Sequence, residues 1–184
     1  MARLNAGHDA ALNSLMDRHG ERLFHYLLRQ LNNESEAADL AQDTFVRVYQ
    51  NRARYDAAHK FSTWLYTIAT NLLKDRYRWR TRHPEVSLDA ESQDGSSFKD
   101  TLVENAASPT EHIVVEERAA EVRKAIAALP DELRTALLLS EYEDLSHAEV
   151  GAVLNCTAKA VETRLYRART ILRKRLEPIL HSGQ

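Results

Sequence analysis

The sequence predicts an all-α protein, two small helical domains joined by a flexible acidic linker. Three observations carry this. Apolar residues recur at three- and four-residue spacing through most of residues 9–80 and 116–176, with no strand-like alternation long enough to use. Helix-start signatures, a capping residue followed three positions later by Glu, stand at Asn33 with Glu36 and at Ser146 with Glu149. Between the halves, residues 84–115 hold seven acids and one base without any sustained period, the composition of a tether. The domains are therefore expected at 1–83 and 116–184.

In the first half, Leu12, Leu15, Met16, Leu23, Leu27, Leu28 and Leu31 recur at helical spacing, and Gly20 is expected to kink or break that helix. Asn33 and Glu36 then form a capping box that opens a helix reaching about Tyr49, with Leu40, Ala41, Phe45, Val48 and Tyr49 as its buried stripe. Its outer face carries Asp39, Gln42, Asp43 and Arg47, which taken alone reads as a solvated surface. The loop 51–60 sets Tyr55 among Arg52, Arg54, Asp56, His59 and Lys60. That ring is either pinned to the nearby core or presented as a stacking surface for a base.

The helix at 62–80 buries Leu65, Ile68, Ala69, Leu72 and Leu73, and Trp64 is expected in the core with them. Roughly opposite run Thr63, Thr67, Asn71, Lys74 and Arg78, ending in RYRWRTR (76–82). Aromatics interleaved with cations beside an exposed Asn suit unstacked bases as well as a phosphate backbone. His83-Pro84 closes the unit, because a residue before proline is pushed out of the helical region.

In the second half, Val122, Ile126 and Leu129 mark one helix ending at Pro130, and Leu133, Leu137 and Leu138 mark another. Ser146 and Glu149 then cap a short helix with Val150, Val153 and Leu154 inward; Asn155 tolerates the left-handed turn that stops it, and Thr157 caps the next. That last helix, TAKAVETRLYRARTILRKR (157–175), holds seven bases against Glu162 alone. Val161, Leu165, Ala168, Leu172 and Leu176 form its core stripe, leaving Lys159, Thr163, Tyr166, Arg167, Thr170 and Lys174 outside. Two helices joined by a short turn, the second basic, make a helix-turn-helix whose second helix enters the major groove.

The net charge of −2 conceals segregation. Residues 1–83 carry 13 bases and 9 acids, and residues 116–184 carry 11 of each, so positive density collects at 74–82 and 159–175. Two basic patches imply two nucleic-acid contacts. No run approaches the roughly 18 apolar residues of a membrane span and the N-terminus lacks a signal-peptide core, so cytoplasmic residence without membrane insertion is expected. A single cysteine, Cys156, excludes an internal disulfide and a Cys-rich zinc site, and its place in the turn fits a small buried thiol. With 5 glycines, no H-E-x-x-H and no G-x-S-x-G, no catalytic, metal or cofactor site is expected, and the chain does not read as an enzyme.

Together, AADLAQDTFVRVYQ (37–50), FSTWLYTIATNLLKDRYR (61–78), the acidic linker and LPDELRTALLLSEYEDLSHAEVGAVLNCTAKAVETRLYRAR (129–169) resemble the extracytoplasmic-function (ECF) group of the sigma-70 family of bacterial transcription initiation factors. The resemblance covers nearly the whole chain. It implies sigma domain two at the N-terminus, sigma domain four at the C-terminus, and no domain three between them. It also implies core RNA polymerase as partner, through its β′ clamp and β subunits, with Asp39, Gln42, Asp43 and Arg47 docking on the clamp. Promoter DNA follows as the second partner. The minus-ten element would be held open as single strand by Tyr55, Thr63, Thr67, Asn71, Lys74 and Arg78, with Asn71 reading an extruded base and Tyr55 lining its pocket. The minus-thirty-five element would be read as duplex by Lys159, Glu162, Thr163, Tyr166 and Arg167.

An anti-sigma factor that covers these faces is a further implied partner. Two positions depart from the family pattern. Glu162 stands where relatives often carry a base, and Ser140 where some use arginine to hold DNA. An acid in the groove repels phosphate but accepts from a cytosine amino group, which implies a different promoter sequence. The rival reading is a two-domain helix-turn-helix regulator whose residues 1–83 sense a ligand or dimerise. A helical adaptor with no DNA role leaves both basic patches unexplained.

Overall fold

The computed structural model describes residues 1–83 and 109–181, and every regular element among them is helical. The first unit comprises α1 (Ala2–Asn5), α2 (Ala10–Leu31), α3 (Glu34–Gln50), a 3-10 turn (Arg52–Arg54) and α4 (Phe61–Arg82). The second comprises α5 (Pro109–Ala127), α6 (Asp131–Glu141), α7 (His147–Leu154) and α8 (Ala158–His181). The expected linker lies largely outside the described residues. Its residues 109–115 are helical instead, since proline at the first helical position needs no N–H partner.

Three helices build the first core. Leu23 and Leu27 of α2, Leu40, Phe45 and Val48 of α3, and Leu65, Ala69 and Leu73 of α4 are all buried. Burying each of the large side chains stabilises by roughly 1.5–3 kcal/mol. Asn32 takes the left-handed conformation (φ 51°) that turns α2 into α3, and Asn33 Oδ1 accepts from Glu36 N at 3.0 Å. The expected capping box is only half formed. Glu36 turns its carboxylate to Arg80, with Arg76 Nε 3.7 Å away, tying α3 to the end of α4. Gly20 does not break α2, which runs through it. The helix-propensity cost of one glycine, about 1 kcal/mol, is small beside the packing of so long an element. The short α1 has no sequence periodicity to announce it, yet buries Leu4 completely.

The second core gathers Ile126, Leu129, Leu137, Leu138, Val150, Val153, Val161, Leu165 and Ala168. Val122, expected inside, is exposed. The helix-turn-helix forms as expected. Ser146 N donates to Glu149 Oε2 at 2.8 Å and Glu149 N to Ser146 Oγ at 3.4 Å; Asn155 is left-handed (φ 54°), and Ala160 N donates to Thr157 Oγ1 at 3.1 Å. The two units touch, chiefly α4 against α7 and α2 against α6.

Candidate nucleic-acid and protein interfaces

On α8 all five expected readers, Lys159, Glu162, Thr163, Tyr166 and Arg167, are exposed on the side away from the core stripe. Tyr166 is 72% exposed, too far out for a packing role. Lys159 Nζ donates to Glu162 Oε2 at 2.7 Å, and His147 Nδ1 lies 3.9 Å from Glu162 Oε1. The Lys159 hydrogen bond is the main reason that the Glu162 carboxyl is held below its usual range, so the acid stays ionised and engaged. Among the described residues Arg167 has no ion-pair partner. A groove between the start of α7 and α8 adds His147, Arg169, Thr170 and Arg173 to this face. Arg169 is tied to Glu141 Oε1 at 2.5 Å.

On α4 the expected polar row divides. Asn71, Lys74 and Arg78 are exposed and Thr67 is half-buried, but Thr63 is buried at 7%, contrary to its expected place on the outer face. Its hydroxyl has no hydrogen-bond partner among the described residues. Lys60 and Tyr66, three residues away on either side, bond the second unit. Tyr55 is half-buried against Trp64 (ring centroids 5.2 Å) and Phe61 (6.2 Å), and its hydroxyl donates to His59 O at 2.7 Å. Of the two alternatives for Tyr55, the packing bears out the pinned ring. Trp64 is only partly buried within this cluster. Trp79 is exposed and stacked on His83 at 4.9 Å.

On α3, Asp39, Gln42, Asp43 and Arg47 are all exposed on one side. Val46 sits among them, 46% exposed. A single exposed valine is ordinary on a protein surface and does not by itself separate a contact face from a solvated one.

Sigma-70 region 2 matches residues 15–83, and the region 4 family (Sigma-70, region 4) matches residues 119–172. The chain is 35% identical to the ECF RNA polymerase sigma factor SigW of Bacillus subtilis over 179 residues, covering 96% of this chain and 95% of that protein. The chain belongs to the ECF group of the sigma-70 family. It is an alternative RNA polymerase sigma factor. The RNA polymerase sigma-H factor of Pseudomonas aeruginosa is 32% identical over 98% of the chain and 94% of its own length. The fold is shared with the sigma factor RpoE of Bartonella quintana, solved with the anti-sigma factor NepR (TM-score 0.68, 21% identity, 90% of this chain and 96% of that one). It is shared also with CnrH, solved with the cytosolic domain of CnrY (TM-score 0.67, 24% identity, 100% and 96%).

In this sigma factor no helix among the described residues is long and apolar enough to cross a membrane. No group of three His, Cys, Asp or Glu side chains among them is placed to hold a metal ion. Cys156 is partly buried beside Arg164, whose Nη1 lies 3.4 Å from Sγ.

Proposed function

We propose that this sigma factor binds core RNA polymerase through α3, opens and reads a minus-ten element with α4 and the preceding loop, and reads a minus-thirty-five element with α8. Domain two then spans residues 1–83 and domain four residues 116–184, with the start of α5 leading into the latter. The observation that supports this best is the pair of exposed polar and basic helix faces, one on each unit, each backed by an apolar stripe. A ligand-sensing or dimerising first unit does not call for the exposed row of Asn71, Lys74 and Arg78.

Roles follow from side-chain chemistry. Asn71 offers a donor and an acceptor to the edge of an extruded base, while Lys74 and Arg78 hold phosphates. Flipping that base costs a few kcal/mol, offset by stacking on Tyr55 and by the edge hydrogen bonds. Thr67 lies at the margin of this face, and Thr63 is buried behind it. On α8, Arg167 is free for a guanine, Tyr166 for base or sugar packing, and Thr163 for phosphate. Glu162 accepts from a cytosine amino group with Lys159 alongside to neutralise the approach to phosphate. Asp39, Gln42, Asp43 and Arg47 ring Val46 as the polymerase contact. The chemistry belongs to the polymerase, so this chain is itself no enzyme, and it acts in the cytoplasm where that partner resides. Because the fold is shared with a sigma factor solved with an anti-sigma factor, a regulator of that kind is the expected third partner.

Run-off transcription with purified core polymerase, on templates selected from a randomised promoter library, tests the reading. Initiation dependent on this chain is expected. A protein that binds duplex DNA but never supports initiation overturns it.

A further inference from the structure

Four of the five aromatic rings on α4, those of Phe61, Trp64, Tyr66 and Tyr77, are buried or packed against the core, whereas Trp79 is 47% exposed. A tryptophan left in water forgoes more apolar burial than most side chains would. One face of its indole is nevertheless taken. The His83 imidazole stacks on it, with ring centroids 4.9 Å apart and planes 23° from parallel. His83 is itself fixed by the helix end, since its backbone N–H donates to Trp79 O at 3.0 Å and its Nδ1 lies 3.0 Å from the same oxygen. Those bonds use the backbone oxygen of residue 79, so closing the helix does not require the indole. With His83 on one side, the open surface of the ring is its opposite face and its edge.

Cations flank this ring. Arg78 and Arg82 are exposed, Arg78 meeting the equally exposed Asp75 at 3.2 Å and Arg82 having no ion-pair partner among the described residues. Arg76 and Arg80 turn the other way, to Glu36 of α3, and fix this end of the helix without drawing on the outer pair. At about 100° per residue, Asn71, Arg78 and Arg82 fall within about 40° of one another around α4, and Trp79 stands about 80° round from Asn71 and about 12 Å further along the axis. We propose that Trp79, backed by His83, is a second base-stacking site on α4, which takes another unpaired nucleobase of the strand whose extruded base Asn71 reads. This rests on the strand-opening reading above. At about 3.4 Å per stacked nucleotide, that separation spans roughly three to four nucleotides, so the two sites engage different bases.

The surroundings select the occupant. A single strand alternates the apolar face of a base with a phosphate, and a ring between two guanidiniums answers that alternation. An apolar helix of a protein partner would have to desolvate Arg78 and Arg82 to reach the indole, a cost that one ring does not offset. Stacking is indifferent to which base is carried, because every base has a π-face. Trp79 therefore adds hold on the opened strand without sequence preference, and discrimination stays with Asn71.

Equilibrium binding of the full chain to a labelled single-stranded dT oligonucleotide, set against an abasic strand with the same number of phosphates, tests the site. Wild type should prefer the dT strand. Trp79→Leu keeps an apolar, helix-forming side chain and removes the ring, while Trp79→Phe keeps a ring. Trp79→Leu should bind the dT strand about 5- to 150-fold more weakly, the range for stacking on one base, and should bind the abasic strand as wild type does. Trp79→Phe should recover most of that loss. A purely structural role for the indole gives equal loss on both strands, since a disturbed helix end weakens the phosphate contacts to each. Equal loss, an unchanged Trp79→Leu, a Trp79→Phe as weak as Trp79→Leu, or a wild type that does not distinguish the strands overturns the proposal. Failure of run-off transcription, by contrast, strikes the promoter reading and leaves this comparison of strands untouched.

Discussion

The two helices proposed to read DNA, α4 and α8, differ in how ready they are. The α8 face is exposed, with Lys159 paired to Glu162 and Arg169 to Glu141, while Arg167 has no ion-pair partner among the described residues. The α4 face is open at Asn71, Lys74 and Arg78 but closed at Thr63, with Tyr55 held in an aromatic cluster. A helix that reads intact duplex can be finished in advance, because its target is a rigid groove. A helix that captures an extruded base must form its pocket as the strand opens, so part of that pocket need not be exposed beforehand.

The comparison breaks most sharply if the two units do not fold separately. Leu165 is almost fully buried behind the α8 reading face, and Leu165→Ala should cost about 2–5 kcal/mol. Both tryptophans, Trp64 and Trp79, lie in α4, so their fluorescence reports domain two alone. With separate folding, urea melts should show the helical signal of the variant falling early while the tryptophan transition stays in place. Equal shifts in both signals would mean one cooperative unit and would remove the distinction. Gly151→Ala comes next. A methyl there lands 2.6 Å from Cys156 O, which is backbone and yields only if the turn of the helix-turn-helix moves. A loss of about 1–3 kcal/mol is expected, together with weakened duplex binding and unchanged single-strand binding.

The same contrast governs what was legible beforehand. Caps and stripes are local, so Ser146, Asn155, Thr157 and the apolar faces of α3, α4 and α8 could be read from spacing alone. Gly20 misled because a local propensity was outweighed by the packing of the whole of α2. Glu36 misled because Arg80, far along the chain, competes with the local cap for its carboxylate. The α8 residues were placed correctly since nothing from elsewhere covers them. Thr63 was not, because no spacing signal announces its burial on the polar row. Glu143, Arg134 and Gln30 look like ordinary surface residues until two distant segments bury them together.

A smaller and more selective effect separates the readers themselves. Arg167→Ala should weaken duplex binding at the upstream element by about 1–3 kcal/mol if it reads a base, with relaxed preference at one position. A loss uniform across sequences would make it a phosphate contact. Asn71→Ala should leave that duplex binding intact and impair strand opening, measured by permanganate reactivity of unpaired thymines in the polymerase complex. Equal loss of both activities would refute the division between α4 and α8.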